Sequence, residues 1–369
     1  MGNTISKSSS YKCYIPSIMD KDLELNVLTI LNKCSGDVRI YHDEKYFASN
    51  PINLADIEIG VHSGTYHLDE LLATGMQLFI NSFDGKTSVI VRTRDQTILA
   101  KCKIVFDVGK EYNPETNRYD HHMPDFNVTM PNRETKLSSA GLFWLNQGKE
   151  LISKFFDTNN QKLIEKLWFK VYDEYIEQVD AHDNGIEVAN EMKFSISSKA
   201  SMISNPSNAS EEVIEQYFYF YLQKVICDFF EYLLKIKSKF LLEREIIEQA
   251  FKHRFIHHES GKILVLSKYC SWKEHLFDIE KENGVFGNTL FVIFFDEKDN
   301  SWRIAAVPKK LKSFGDRVSL PRPWCEYKGD NLSEFIGVPE CTFVHTNGFI
   351  GGNKTSKGAL LMAKLAIEF

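Results

Sequence analysis

The sequence predicts an α/β protein of two domains: an N-terminal domain with a mostly parallel sheet and helices on both faces, and a smaller C-terminal domain with a mixed sheet. Three observations indicate this fold. Strand-like and helix-like segments alternate after residue 57, and the early strands are continuously apolar, as buried parallel strands are. The pattern changes after a polar stretch at residues 195–212, and 369 residues exceed what one core usually organises.

The elements of the first domain follow from local patterns of apolar and turn residues. Residues 1–55 show no clear periodicity beyond a short strand at 38–42, so we assign them to an N-terminal extension. The elements predicted after it are a strand at 57–64, a helix at 66–80, strands at 88–95 and 102–109, and amphipathic helices at 136–152 and 160–179. These elements place the first domain at residues 56–200.

A helical connection and a second domain account for the rest of the chain. The polar stretch at 195–212 indicates a linker or an active-site loop. The connection over residues 201–255 carries an aromatic stripe, which predicts a core face docked onto a neighbouring element. Residues 256–369 form the predicted C-terminal domain, with two strands at 288–308, a further strand at 341–349 and a closing helix at 356–369.

Composition argues against several classes of protein. A net charge of -6 and a pI near 6.0 argue against a protein that coats duplex nucleic acid, so any site for a polyanion must be local. The seven cysteines form no C-x-x-C pair, which disfavours a disulfide framework or a zinc knuckle and favours a reducing compartment. No apolar run reaches the roughly 18 residues that span a bilayer, and no secretory signal is evident, so we expect a soluble cytoplasmic or nuclear protein.

The first residues, MGNTISKS, match the N-myristoylation pattern with Gly2 as the acceptor. One acyl chain alone binds membranes only weakly, so this interpretation predicts weak membrane association. The alternative is a disordered polar leader that matches by chance. The segment lacks the Arg-rich, amphipathic character of a transit peptide, which lowers the expectation of a mitochondrial location.

Titratable side chains recur where the predicted strands and one helix end. They are His62, His67 and Asp69 after the first strand, Asp107 at the tip of the third, Asp120, His121 and His122 in the next loop, and Asp180 and Asp183 at a helix end. Because ligands bind outside the carboxyl ends of strands in open α/β sheets, we expect these groups to converge in one crevice.

Mixed histidine and aspartate without cysteine is typical of a site for Mn²⁺ or Mg²⁺, and imidazole favours Mn²⁺. Several carboxylates at close range require compensation, which a pair of divalent cations sharing one bridging aspartate would supply. The alternative is that single residues are structural. Asp69, for example, could simply complement the dipole at a helix start. Asp120, His121 and His122 in succession, with Asp107 on the preceding strand end, favour the metal interpretation.

Seven segments carry a specific resemblance: HSGTYHLDE, VRTRD, IVFDVGKEYNP, RYDHHM, KLSSAGLFW, VDAHDNGI and FVHTNGFIGGNKTSKGALLMAK. In this order, from about residue 58 to 369, they resemble the melanocyte-proliferating-gene exonuclease family, distant relatives of the DHH phosphoesterases. The resemblance implies two α/β domains, with the metal site on the first and substrate contacts from the second. It also implies 3′-to-5′ exonuclease activity on RNA in the nucleus and mitochondria.

The resemblance implies roles for individual residues. The implied metal ligands are His62, His67, Asp69, Asp107, His121 and either Asp180 or Asp183. Asp107 would bridge the ions and take part in catalysis, Asp120 would support His121, and His122 would face the scissile phosphate. The first motif departs from the family pattern, because one extra residue separates its first two ligands and His67 replaces an aspartate.

Substrate contacts are expected in the C-terminal domain. The segment HTNGFIGGNKTSKG resembles the glycine-rich substrate loop of the same superfamily, in which backbone N–H groups approach phosphate. A local basic and aromatic stretch at residues 302–324 is typical of single-strand binding, although an exposed hairpin with solvated lysines is an equal alternative. The expected contacts are His345, Gly351, Gly352, Lys354, Arg303 and Arg322.

The sequence thus predicts a metal-dependent phosphodiesterase, namely a 3′-to-5′ exonuclease on single-stranded RNA that uses water activated by two metal ions. Two alternatives stay open. One is a catalytically silent, metal-binding regulatory or scaffold protein, and the other is a phosphoesterase for a small molecule or a short oligonucleotide. Nothing in the sequence indicates an oligomeric state.

Overall fold

The computed structural model describes residues 58–83, 88–186, 209–311 and 315–369, together with the short pieces 29–30, 34 and 39–42. Two compact units divide the chain, Met1–Leu234 and Lys235–Phe369. The boundary between them falls inside the predicted helical connection. Gly2, most of the polar stretch at 195–212, and residues 312–314 lie outside the described residues.

The first unit contains a six-stranded, mostly parallel sheet, as predicted. Its strands are β1 Arg39–His42, β2 Ile59–Val61, β3 Val89–Arg92, β4 Ile104–Phe106, β5 Tyr112–Asn113 and β6 Arg118–Tyr119. They lie in the order β1-β3-β2-β4-β6-β5, and only β5 pairs antiparallel, at one edge. The strand predicted at 38–42 is therefore the opposite edge of this sheet, although it falls in the segment assigned to an extension.

Six helices are described in this part of the chain. They are α1 Leu68–Phe83, α2 Gln96–Leu99, α3 Ser139–Phe156, α4 Gln161–Val171, α5 Glu177–Asp183 and α6 Glu211–Lys235, whose last residue opens the second unit. Alternation along β4 sends Phe106 toward Phe143 of α3, with ring centroids 5.5 Å apart, while Val105 packs with Ile98 and Leu99 of α2. Helices therefore cover both faces of the sheet, as predicted.

Two features of these helices position the site. A π-helical turn at Tyr172–Ile176 joins α4 to α5 without a loop. One face of the aromatic segment of α6 is buried as predicted: Phe230 packs on Phe79 of α1 at 4.5 Å between ring centroids, and Phe229 packs on Trp144 of α3 at 6.2 Å. Tyr217 and Phe220 of the same segment are exposed.

The second unit is built on a five-stranded mixed sheet. Its elements are α7 Leu241–Lys252, α8 Arg254–His257, β7 Ile263–Val265, α9 Trp272–Glu282, β8 Phe291–Asp296, β9 Ser301–Ala306, α10 Gly329–Ile336, β10 Cys341–Val344, β11 Ile350–Asn353 and α11 Ser356–Glu368. The strand order is β10-β11-β9-β8-β7, and only β7 and β8 pair in parallel. One face packs on Met362 of α11 and the other on Leu276 of α9.

Within the described ranges, every helix is too short or too polar to span a membrane.

Candidate metal centre

The site forms where neighbouring parallel strands end side by side. His62 follows β2, Asp107 follows β4 and Asp120 follows β6. The chain leaves β2 for β3 on one side and then crosses to β4 on the other side. Such a switch point opens a crevice at the carboxyl edge of an α/β sheet, which is where ligands bind.

Asp107 lies at the centre of the site, and its two oxygens face different groups of side chains. Its Oδ2 lies 3.3 Å from His62 Nε2 and 3.6 Å from His67 Nδ1. Its Oδ1 lies 3.3 Å from His121 Nε2 and 3.4 Å from His122 Nδ1. A carboxylate shared by two ions has this arrangement. The residue adopts a left-handed φ of 56°, which aspartate tolerates better than most residues.

The first group contains Glu70, a candidate ligand that is absent from the residues predicted from the sequence. Glu70, which is fully buried, places Oε2 2.5 Å from His62 Nε2, and it also accepts a hydrogen bond from the backbone N–H of His67 at 3.2 Å. A glutamate at the third helical position that reaches back to the residue before the helix forms half of a capping box. That spacing was visible in HLDE and could have identified it. His62, His67, Glu70 and Asp107 offer ligand atoms that lie within 4.8 Å of one another.

The second group joins three separate parts of the chain. His121 Nε2 lies 3.1 Å from Asp183 Oδ2 at the end of α5, and Asp69 completes this group with ligand atoms within 4.8 Å of one another. Asp69 is 1% exposed, and its Oδ2 accepts a long hydrogen bond from the Ser139 N–H at 3.3 Å. The structure therefore brings Asp69, His121 and Asp183 together.

The His122 side chain is half-exposed, as that of His67 is, and His122 offers a ligand atom close to those of Asp107 and His121. Its Nδ1 lies 2.8 Å from Asp120 Oδ1, which also accepts the His122 backbone N–H at 3.1 Å, and Asp120 Oδ2 accepts the Lys110 N–H at 2.6 Å. Asp120 thus supports His122 rather than His121. The hydrogen bond to Asp120 raises the pKa of His122.

Asp180 lies away from both groups. It accepts hydrogen bonds from the Ser138 N–H at 2.9 Å, the Ser138 hydroxyl at 2.7 Å and the Gly141 N–H at 3.1 Å, so it caps the N-terminus of α3. Burial raises its pKa to about 7, and the hydrogen bonds from Ser138 limit that rise. Of the two candidates for the fourth motif, the structure places Asp183 in the cluster.

The electrostatics of the cluster favour added positive charge. Burial alone would raise the pKa of Asp107, yet hydrogen bonds from His121 and His62 outweigh it and hold that pKa well below its usual range. Burial and the charge of Asp107 raise the pKa of Asp69 well above its usual range. Burial lowers the pKa of His62, but hydrogen bonds to Asp107 and Glu70 prevail and raise it to about 10.

These residues fit a site for divalent cations. Asp69 Oδ1 and Glu70 Oε1 are buried and form no hydrogen bond. Such atoms are costly unless a ligand satisfies them. Two atoms bound at ~2.1 Å to one octahedral ion lie ~3.0 Å apart, which is close to the spacings around Asp107. A donor set of imidazole and carboxylate suits divalent metal ions.

Two of the substrate contacts expected in the second unit lie in a strand and not in the expected loop. Gly351 and Gly352 lie in β11, between β10 and β9, so their backbone groups take part in sheet pairing rather than in a loop. They are glycines because a Cβ would meet Leu320 at position 351 and Thr342 at position 352. Backbone capture of phosphate, as the resemblance implied, therefore does not fit these two residues.

The expected basic contacts divide into paired and exposed side chains. Arg303 is 7% exposed and pairs with Asp299 and Asp296 inside the β8–β9 hairpin, so it is already neutralised. Arg322, His345 and Lys354 are exposed, as are Lys309 and Lys310.

We expect binding of Mn²⁺ to release protons. Since the pKa of His62 is raised to about 10 in the metal-free site, its ring is protonated at neutral pH and must lose a proton before Nε2 can bind an ion. Each proton released makes the association constant rise about tenfold per pH unit, so affinity falls as the pH drops from 8 to 6. Calorimetry in buffers of different ionisation enthalpy measures the protons released. A value of zero would contradict the role of His62, and the His62→Gln variant should release fewer than the unmodified chain.

Comparison with known proteins shows which family this chain is similar to. The family model MYG1_exonuc, described as an uncharacterised protein family (UPF0160), matches residues 58–367. The chain is 37% identical over 328 residues to the MYG1 exonuclease of Rattus norvegicus, covering 85% of each chain. It is equally 37% identical over 328 residues to the MYG1 exonuclease of Homo sapiens, covering 85% of this chain and 86% of the relative. The MYG1 protein of Dictyostelium discoideum is 37% identical over 320 residues, covering 84% and 96%.

Proposed function

Because the chain belongs to the MYG1 exonuclease family, we propose that it is a nuclease that hydrolyses phosphodiester bonds at the site around Asp107. The relatives that carry the name exonuclease support this class of activity. The observation that carries the proposal is the position of Asp107, whose two oxygens face two separate groups of ligands. Its finer form is a 3′-to-5′ exonuclease on single-stranded RNA that uses two divalent cations, with Mn²⁺ preferred.

In this proposal each group of candidate ligands would hold one divalent cation. His62, His67 and Glu70 would hold one ion and Asp69, His121 and Asp183 the other, with Asp107 shared between them. Bound divalent cations activate water and offset negative charge on phosphoryl oxygens. The chain itself supplies the orientation: Asp107 fixes the spacing of the two groups, and burial excludes bulk water from the shared carboxylate.

His122 is suited to move a proton. The hydrogen bond from Nδ1–H to Asp120 leaves Nε2 for the substrate, and it also stabilises the protonated ring, since it raises the pKa of His122. A half-exposed imidazolium at the edge of the site could donate a proton from Nε2 to the departing sugar oxygen. In this proposal His122 acts as a general acid, and Asp120 sets its tautomer.

The second unit would supply contacts to the RNA backbone. Arg322, His345 and Lys354, with Lys309 and Lys310, are exposed and leave local positive charge on a chain whose net charge is negative. Single-stranded nucleic acids are bound through such local basic groups. Arg303 is excluded from this set, because its charge is balanced by Asp299 and Asp296.

The test is an assay on end-labelled single-stranded RNA with Mn²⁺. We expect a 3′-labelled strand to release labelled mononucleotides at once and a 5′-labelled strand to shorten gradually, whereas a strand blocked at its 3′ end resists. Rapid internal cleavage would overturn the exonuclease proposal. Hydrolysis restricted to dinucleotides would indicate a phosphoesterase for short oligonucleotides, and complete inertness with intact metal binding would indicate a scaffold protein.

A further inference from the structure

Arg94 lies beside the metal centre on the strand next to the first ligand. It follows β3, which pairs in parallel with β2, so it emerges at the same edge of the sheet as His62. Its side chain is exposed, and its Nη2 lies 3.2 Å from His62 Nδ1. An ion bound to His62 Nε2 would therefore lie on one side of the imidazole ring, and the Arg94 guanidinium lies on the other side.

Arg94 carries a charge that no carboxylate balances among the residues that the structure describes; its recorded contact is the one with His62. The adjacent Asp95 uses Oδ1 to accept hydrogen bonds from the N–H and the hydroxyl of Thr97, which caps α2. Arg92, two residues earlier, differs: it is fully buried and bonded to Glu215 at 2.5 Å. Of these two arginines, Arg94 is the one available to a ligand.

His62 Nδ1 does not provide an acceptor for Arg94. The carbonyl oxygen of Ser63 lies 3.1 Å from Nδ1 and accepts its hydrogen, both when Nε2 binds an ion and when the ring carries a hydrogen on each nitrogen. An Nδ1 that carries a hydrogen cannot accept a hydrogen bond from Arg94. The Arg94 guanidinium therefore lies beside the His62 ring, at the edge of the ligand cluster, without a protein acceptor among the described residues.

We propose that Arg94 binds a non-bridging oxygen of the substrate phosphate on the His62 side of the site. The proposal rests on the proposed function and extends it with a residue that contacts the substrate. Because the Arg94 side chain is exposed, its guanidinium can turn from the His62 ring toward a phosphate whose other oxygen would lie at the ion on the far side of that ring. The planar guanidinium suits phosphate, because its parallel N–H groups bind two oxygens at once.

The test compares Arg94→Gln with Lys101→Gln. Lys101 is also exposed, but it precedes β4 and thus lies at the opposite, amino edge of the sheet, so the two variants lose the same charge at different places. With Mn²⁺ and a 12-nucleotide single-stranded RNA, we expect kcat/KM to fall by roughly 10- to 100-fold in Arg94→Gln, the effect of one charged hydrogen bond. Arg94→Lys should recover part of the loss, and Lys101→Gln should match the unmodified chain.

A salt series and a metal titration separate binding of phosphate from a structural role. The slope of log kcat/KM against log salt should become shallower by ~0.7 in Arg94→Gln, since one contact to a phosphate is lost. The Mn²⁺ affinity should stay unchanged. An unchanged slope, or a fall in Mn²⁺ affinity that accounts for the lost activity, would overturn the proposal, because Arg94 would then act only by orienting His62.

Inorganic phosphate serves as a second probe. Equal weakening of RNA turnover and of inhibition by phosphate would indicate that Arg94 holds any phosphate, whereas weakening for RNA alone would indicate a phosphodiester held in register by the strand. The probe also works if the unmodified chain hydrolyses nothing. The proposed function would then fail, while calorimetry in the presence of Mn²⁺, with phosphate and with the 12-nucleotide RNA, would still test Arg94, since equal affinity for both ligands in Arg94→Gln and in the unmodified chain would refute the proposal.

Discussion

Substituting Asp107 by asparagine is expected to abolish nuclease activity, with a loss well beyond 100-fold. Even residues that only support metal ligands typically cost 10- to 100-fold, and Asp107 faces both groups of ligands directly. Asparagine keeps the size of the side chain and tolerates the left-handed backbone at this position. The loss would therefore report the missing charge and not a collapsed loop. Initial rates on 3′-labelled RNA and Mn²⁺ stoichiometry are the measurements.

Asp157→Asn is a matched control for this variant. Asp157 also adopts a left-handed backbone, with φ of 52°, but it ends α3 and its side chain is exposed. We expect it to retain full activity and full Mn²⁺ binding. If Asp107→Asn keeps its activity and binds as many Mn²⁺ ions as the unmodified chain, the proposal that two ions share the Asp107 carboxylate is wrong.

Substituting Gly141 by alanine is expected to destabilise the first unit by about 3 kcal/mol. Alanine normally favours a helix over glycine by about 1 kcal/mol, so the expected sign is opposite to that of an ordinary helical position. The reason is that a Cβ at position 141 would overlap the buried carboxylate of Asp180, which caps α3. Urea denaturation measures the free energy of unfolding of both proteins, and the comparison is valid when their m-values are equal.

A double-mutant cycle makes this explanation specific. Asp180→Ala alone should destabilise the protein, because it removes the acceptor for Ser138 and Gly141. In that background Gly141→Ala should become neutral or stabilising, because the overlap is gone. If Gly141→Ala costs the same in both backgrounds, contact with Asp180 is not the cause.

The fold and the centre of the site were predictable from local patterns. The strand before Asp120 is only Arg118–Tyr119 and has no strand pattern in the sequence. The strands that precede His62 and Asp107 are short apolar runs, and parallel pairing brings their ends to one edge regardless of the distance between them along the chain. The sequence could therefore indicate which residues meet. The relationship to the DHH phosphoesterases, the RNA substrate and the preference for Mn²⁺ stay predictions.

The rest depended on three-dimensional detail that a pattern does not contain. Asp180 and Asp183 are three residues apart at a helix end, and only packing of α3 decides which of them becomes a cap. The HLDE spacing predicts Glu70 as a capping residue, but an acidic first turn is common in helices, so the pattern does not show that Glu70 also faces His62. The glycines of β11 resemble a loop in the sequence because glycine is typical both of turns and of strands with a close neighbour.

The π turn at Tyr172–Ile176 has a consequence for how the chain tolerates change. Each residue of an α-helix rotates the next side chain by about 100°, so the rotational phase of α5 depends on how many residues the wide turn accommodates. Loss of one residue there would let the helix continue as regular α but would swing Asp183 away from His121 and Asp180 away from the start of α3. The wide turn therefore sets the rotational position of α5, and the number of residues in this helix is as constrained as their identity.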